Sequence, residues 1–384
     1  MLRVLPSINL NRLACAFYSS APNRRNPLGD RESLIEILPG DTNDLAVVNA
    51  ARVSFNRTST NFTTIKEKPK GSDEALLNFL ARENHWTPFA HPSYVFMRHL
   101  PKDDFILYVN NTKDYQFDRH IFPLEGNSVR FIERGSAYAY IATCLDSAVR
   151  GGDPKHPHPF RYEMDPIYHM MADMPYTLLS FSNAKQVHFP SHLHHDTLKR
   201  CRRITNDVEQ HTQNMKTAES LATISLRIKM PIFVERQWFK HTQGFIRSSV
   251  SRRYVRDLPE FFTPSDYRLQ DANVKQGSSS ETLGMEQFLD VDTDVHQHIL
   301  HSVALYQNMR NRNVCAEQSR IVFPQSMYTE FIETGTIAAY KRLLHLRLAK
   351  VAQKEIRDYA SALLEMLSDP DVTHYHNFFQ STKF

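Results

Sequence analysis

The stretch that most constrains this chain runs from Ala222 to Val255. There the sequence ATISLRIKMPIFV opens directly into Arg236, Lys240, His241, Arg247, Arg252 and Arg253, interleaved with Ser248, Ser249 and Ser251. The apolar run, PIFV included, reads as a strand. A strand anchored in a core holds whatever follows it in a fixed place. Trp238, Phe239, Phe245 and Tyr254 are denser than a solvated loop requires. Guanidinium groups bind phosphate through paired hydrogen bonds, and serine hydroxyls can complete the shell, so Arg253 beside Ser251 suits an anionic ligand. Chemistry alone leaves three readings open: a phosphate or nucleotide site, a basic contact for a partner, and an inert loop.

Bulk properties make any basic function local. The 384 residues are 41% hydrophobic and 23% charged, an ordinary globular balance, and a net charge of +4 gives no case for nucleic-acid binding. Cys15, Cys144, Cys201 and Cys315 are far apart with no CxxC pair, so buried free thiols are expected rather than a zinc ribbon or a disulfide framework. No apolar run approaches the ~18 residues of a membrane span. The first segment, residues 1–29, carries Arg3, Arg12, Arg24 and Arg25 and no acid, the pattern of a mitochondrial transit peptide, which predicts the mitochondrial matrix.

Residues 30–100 predict alternating strands and helices: a strand in SLIEILPG, a helix in DLAVVNAARVSF that tightens at its end, a helix in SDEALLNFLAREN begun by Ser72 or Asp73, and a strand in PSYVFMRHL. Residues 101–220 yield no motif, with GGDPKHPHPF as a loop and His194–Ser220 reading as one polar helix. Residues 221–384 contain the strand and basic loop, then a Gly/Ser connection, VKQGSSSETLG. Two helices follow, with core stripes Val295, Ile299, Val303, Tyr306 and Ala352, Ile356, Tyr359, Leu363, Leu367. No internal repeat is evident. His188, His192, His194 and His195 are close in sequence, but Pro190 breaks the helical spacing a metal pair needs, so no metal is expected. Gly151 and Gly152 do not form a phosphate loop.

The stretch IFVERQWFKH followed by VSRRY resembles the signature of the flavin-dependent thymidylate synthase family. VVNAARVSF, HWTPFAH, AEQSRIVFPQSMYTEF and LHLRLAKVAQKEIRDYA resemble its other blocks in order. The resemblance implies an α+β fold, a mainly antiparallel sheet with packed helices. It makes residues 30–100 and 221–384 two parts of one synthase-like domain, with residues 101–220 a large insertion between them. It further implies methylation of dUMP to dTMP, with methylenetetrahydrofolate as carbon donor, reduced FAD as hydride source and NADPH as reductant. On matching positions, Gln237, Ser251, Arg253, Arg320 and Arg347 would hold dUMP, Ser251 and Arg347 serving catalysis. Ser54, His85, Thr87, Lys240 and His241 fall where the family contacts FAD. Family members form homotetramers with sites between subunits. Several positions depart from the pattern: Ser248 and Ser249 stand for Asn-Glu, Ala90 for the glutamate of PFEH, and Thr336, Ala338 and Arg342 for polar residues at the flavin. These departures support an alternative, a catalytically inactive relative serving as a structural or assembly subunit of a mitochondrial complex.

Overall fold

Two antiparallel sheets, each backed by helices, organise the protein. The computed structural model describes residues 21–382 except 41, 125, 151–160, 188, 190–194, 213, 256, 272–277 and 381. The GGDPKHPHPF loop and three of the four clustered histidines, His188, His192 and His194, lie outside the described residues, as do Cys15 and most of the expected transit segment.

The N-terminal part contains β1 (Arg24–Arg25), β2 (Leu34–Ile37), α1 (Asp44–Arg52) and a 3-10 turn at Val53–Phe55. It continues through α2 (Asp73–Arg82), α3 (Thr87–Ala90), β3 (Ser93–Pro101), α4 (Lys102–Asn111), β4 (Asp118–Ile121) and β5 (Ser128–Ser136). Then come α5 (Ala137–Arg150), α6 (Arg161–Met170), α7 (Pro175–Lys185) and α8 (His195–Arg200). The tighter end predicted for the first helix is the 3-10 turn. Ser72, not Asp73, caps α2, its hydroxyl accepting the Ala75 N–H at 3.3 Å.

The polar run predicted as one helix is divided. After α8 the chain forms β6 (Cys201–Arg203), α9 (Val208–His211) and α10 (Met215–Leu221). β6 exists because its backbone pairs with β3, a long-range contact that local propensity does not encode.

The alternating strand is β7 (Thr223–Pro231), with Ile224, Leu226, Ile228 and Met230 buried on one face. PIFV does not extend it. Pro231 is the helix N-cap, and Ile232–Trp238 form α11. Val234 and Trp238, four residues apart, face the core together; a short apolar run fits strand or helix equally, and here the helical period won. β8 (Phe245–Ser249), β9 (Arg268–Gln270) and β10 (Ser278–Thr282) precede α12 (Met285–Asn311) and α13 (Ala316–Ser319). The chain ends in β11 (Tyr328–Thr336), α14 (Ile337–Arg347), α15 (Lys354–Leu367) and α16 (Asn377–Gln380).

One sheet has the order β1-β2-β7-β11-β8 and the other β4-β5-β3-β6; β9 and β10 form a separate hairpin. The larger core lies between the first sheet and α14–α15, and includes Trp238, Phe331, Tyr340, Tyr359 and Leu363. A second core packs Tyr94, Phe96, Tyr140 and Cys144 with α1, α2, α6 and α7. The α15 stripe is buried as predicted at Ile356, Tyr359, Leu363 and Leu367. The α12 stripe is core only at Tyr306, whereas Val295, Ile299 and Val303 are half-covered. Cys144 and Cys201 are buried thiols; Cys315 is exposed, contrary to expectation. The α+β class and the mainly antiparallel pairing agree with the sequence reading.

Candidate functional site

The basic segment divides into cations that build the fold and cations left at its surface. Arg247, on β8, turns inward: its Nε donates to Glu333 Oε2 at 2.5 Å, and its guanidinium lies between the Phe239 and Phe245 rings. Glu333 is buried and also accepts Trp238 Nε1–H at 3.1 Å. Burial raises its pKa, and the Arg247 charge opposes that rise. Arg252 donates to the Asp257 carbonyl at 2.7 Å. Both are structural, and much of the density of cations in the sequence reflects this.

Arg347 closes the last turn of α14 against α11. Its Nε donates to His241 Nε2 at 2.8 Å and its Nη2 to the Gln237 carbonyl at 2.8 Å. His241 must therefore accept at Nε2. Burial, and then the charge of Arg347, lower its pKa from 6.5 to about 4, so it is neutral at physiological pH. The Gln237 amide in turn meets Gln353. Four polar groups thus converge where α11 ends and α15 begins, with a cation fixed among them.

A second set forms around Ser251. Arg253 Nε donates to Ser251 Oγ at 3.2 Å, its Nη1 stands 3.6 Å from Glu317 on α13, and its guanidinium covers the Tyr254 ring. Arg320 follows α13 directly and is exposed. The N-terminal part reaches into this set: the Ser54 carbonyl accepts the Ser251 N–H at 3.0 Å, and Phe55 stacks on Tyr254 with centroids 5.0 Å apart. Ser54 is held by its backbone.

His91 joins the N-terminal part to strands β8 and β11, and the sequence reading did not single it out. It follows α3, is buried, and contacts Thr334 Oγ1 through Nδ1 and Ser248 Oγ through Nε2, both at 3.0 Å. Burial lowers its pKa from 6.5 to about 3, so the ring is neutral. Its signal in the sequence is the HWTPFAH block, which also supplies Thr87 and the exposed His85. His85 lies edge-on to Phe79, and Thr87 opens α3, which packs against β8. Lys240 is exposed, with no ion pair recorded among the described residues.

Three flavin-side departures have local roles. Thr336 caps α14 by accepting the Ala339 N–H at 3.1 Å, and Arg342 donates to the Gln243 carbonyl at 3.0 Å. Ala338 occupies the first turn of that helix. In kind, the exposed Lys240, neutral His241, exposed His85 and exposed Trp86 beside Tyr138 suit a planar, anionic group such as FAD. No carboxylate stands in β8, where Ser248 is engaged by His91.

Residues 180–370 match the family model described as thymidylate synthase complementing protein. The flavin-dependent thymidylate synthase of Treponema denticola is 33% identical over 144 residues, covering 37% of this chain and 54% of that protein. That of Thermus thermophilus is 34% identical over 149 residues, covering 39% and 53%. The chain thus spans about half the length of these relatives. Among solved structures, a UMP/dUMP methylase, PolB, from Streptomyces cacaoi bound with 5-Br dUMP superposes with a TM-score of 0.38 at 16% identity, over 90% of this chain and 94% of that one. Over residues 180–370, the stretch that carries Gln237, His241, Ser251 and Arg347, the chain is similar to the flavin-dependent thymidylate synthase family.

Proposed function

We propose that the chain binds dUMP and methylates it to dTMP, taking the carbon from methylenetetrahydrofolate and the hydride from FAD reduced by NADPH. The observation that carries this reading is Arg347, a cation locked by His241 and Gln237 at the junction of α11 and α14. A guanidinium fixed in this way can face the charge that develops on a pyrimidine oxygen without reorganising as it forms. Neutral His241 accepts from Arg347 and so leaves that positive charge intact. Arg253, Ser251 and Arg320 would take the phosphate, and Gln237 the base or sugar. FAD, when bound, supplies hydride transfer; Ser54, His85, Thr87, Lys240 and His241 would hold it. The composition of residues 1–29 supports a matrix location, and the family's habit supports a homo-oligomer.

A second reading, an inactive relative in a mitochondrial assembly, draws on one observation. Ser248 is tied to His91, and its strand offers no acid between nucleotide and flavin. One purification separates the two. A yellow protein that binds dUMP and oxidises NADPH with formation of dTMP is the enzyme. A colourless protein with no affinity for dUMP removes the catalytic reading.

A further inference from the structure

We infer that the chain contains two copies of one folding unit, each completed by a leading segment that belongs to the other, and that only the second copy retains a nucleotide site. The pairing registers carry the inference. β3 and β5 pair from Ser93↔Ser136 to Pro101↔Ser128; β7 and β11 pair from Thr223↔Thr336 to Pro231↔Tyr328. The strand lengths match, and so do the prolines at the turn and the hydroxyl residues at the open end. The third strands agree as well, Arg119 facing Glu133 as Arg247 faces Glu333. So do the fourth, with Cys201 opposite Arg98 and Ile35 opposite Ile228.

Connections between the strands repeat at the same places. Lys102 N–H donates to the Asn127 carbonyl at 3.0 Å, and Ile232 N–H to Met327 at 3.0 Å. Phe122 donates to Arg130 at 2.9 Å, and Val250 to Glu330 at 2.8 Å. Ala137 donates to Pro92 at 2.8 Å, and Ile337 to Ala222 at 3.0 Å.

Two unrelated sheets can share a topology, but they have no reason to share a buried ion pair at one lattice point. Glu133 accepts Tyr108 O–H at 2.7 Å and Arg119 Nε–H at 2.6 Å, just as Glu333 accepts from Trp238 and Arg247. Gly135 and Gly335 are also equivalent. A Cβ on Gly135 would fall 2.4 Å from the Phe117 ring, and one on Gly335 would fall 2.5 Å from Phe245. With these pairs in hand, RFIERGSAYAY (130–140) and EFIETGTIAAY (330–340) align, identical at Phe, Ile, Glu, Gly, Ala and Tyr. On this view residues 101–220 are the body of the first copy and the leader of the second.

The leaders are exchanged. β2 pairs with β7 and α3 packs on β8, so the chain's first segment completes the second copy's sheet. β6 pairs with β3 and α10 packs on β4, so the second leader completes the first. The two interfaces are equivalent in place but not in chemistry. Where the second copy has Gln237, Lys240, His241 and Arg347, the first has Leu107, Asn110, Asn111 and Ser147. Where the first leader offers His91, the second offers Leu221. The loop that carries Ser251, Arg253 and α12 in the second copy is reduced to residues 122–127 in the first. The first segment and first copy therefore act as a built-in partner subunit for a single site.

The duplication and the single site are tested separately; the latter rests on the dUMP reading. Glu133→Gln and Glu333→Gln each leave buried cations without their counter-charge, and each lowers the melting temperature by on the order of 10 °C. Should either protein fail to fold, Tyr108→Phe and Trp238→Phe remove the equivalent donors, with a drop of about 2–6 °C for the first and a larger one for the second, where the lost indole volume also leaves a void. A neutral result at one member of a pair beside a large loss at the other overturns the duplication. Calorimetric titration with dUMP gives one site per chain, abolished by Arg347→Ala and unchanged by Ser147→Ala, which alters the position equivalent to Arg347. Two sites per chain, or loss of binding in Ser147→Ala, overturns the single-site assignment. Absence of any dUMP binding overturns the nucleotide reading with it, while the paired melting shifts still decide the duplication.

Discussion

His91 makes the junction between the N-terminal helices and the C-terminal sheet acid-sensitive. Both ring nitrogens are used by neutral hydroxyls, and burial holds its pKa near 3 against an ordinary 6.5. The unfolded chain binds a proton below pH 6.5 that the folded chain refuses. Its contribution is therefore complete above that pH and falls, by up to about 1.4 kcal/mol per pH unit, until the folded pKa is reached. Denaturant melts between pH 7 and 4 should show this slope, and His91→Asn should flatten it; an unchanged acid limb would assign the sensitivity elsewhere. Arg347 behaves differently, because its contacts hold a site rather than a core. Arg347→Ala is expected to cut dTMP formation at least a hundredfold with little change in melting temperature, and Arg347→Lys should not restore it, since an ammonium lacks the planar fork. Dissociation of activity from stability is the readout. The candidate site was legible residue by residue where a side chain's chemistry is local, as at Arg253 with Ser251. It was illegible where a partner lay far along the chain: nothing near Arg247 announces Glu333, and nothing near His91 announces Ser248.

Helix ends show which elements a sequence can specify. Ser72 before Asp73 and Glu74 is a cap with acids in the first turn, and α2 begins there. Ser72→Ala should cost about 0.5–2 kcal/mol, measurable as a lower denaturant midpoint with an unchanged slope. A changed slope would mean that the variant altered more than a cap. β7 was equally legible, because its alternation matches one buried face. Ile232–Val234 was not, since three apolar residues carry no period, and β6 was not, since Cys-Arg-Arg becomes a strand only when β3 supplies its hydrogen bonds. The repeat was hidden for a related reason. Its shared residues include Glu and Gly on strands β5 and β11 and a buried Tyr in the first turns of α5 and α14, and the polar residues that identify a site survive in one copy alone.

At the scale of the whole molecule, α12 has no apparent reason to stay out in water. Met285 is 75%, Leu300 68% and Leu289 52% exposed, and Ile321 beside the helix end is 75% exposed. Apolar side chains repeated along a 27-residue helix make an exposed apolar surface of the kind that marks interaction sites. We expect the partner to be a second copy of the chain, because the synthases it resembles are homo-oligomers. The duplication then sets the stoichiometry. If one chain already carries two of the units that family members contribute singly, a four-unit assembly closes with two chains instead of four. Light scattering on the purified protein should give the mass of two 44.6 kDa chains. Leu300→Glu together with Leu289→Glu should halve that mass while leaving the melting temperature within a few degrees, because neither side chain belongs to either core. A mass of four chains would mean that the first copy does not replace a subunit, and a single-chain mass would leave α12 to a different partner.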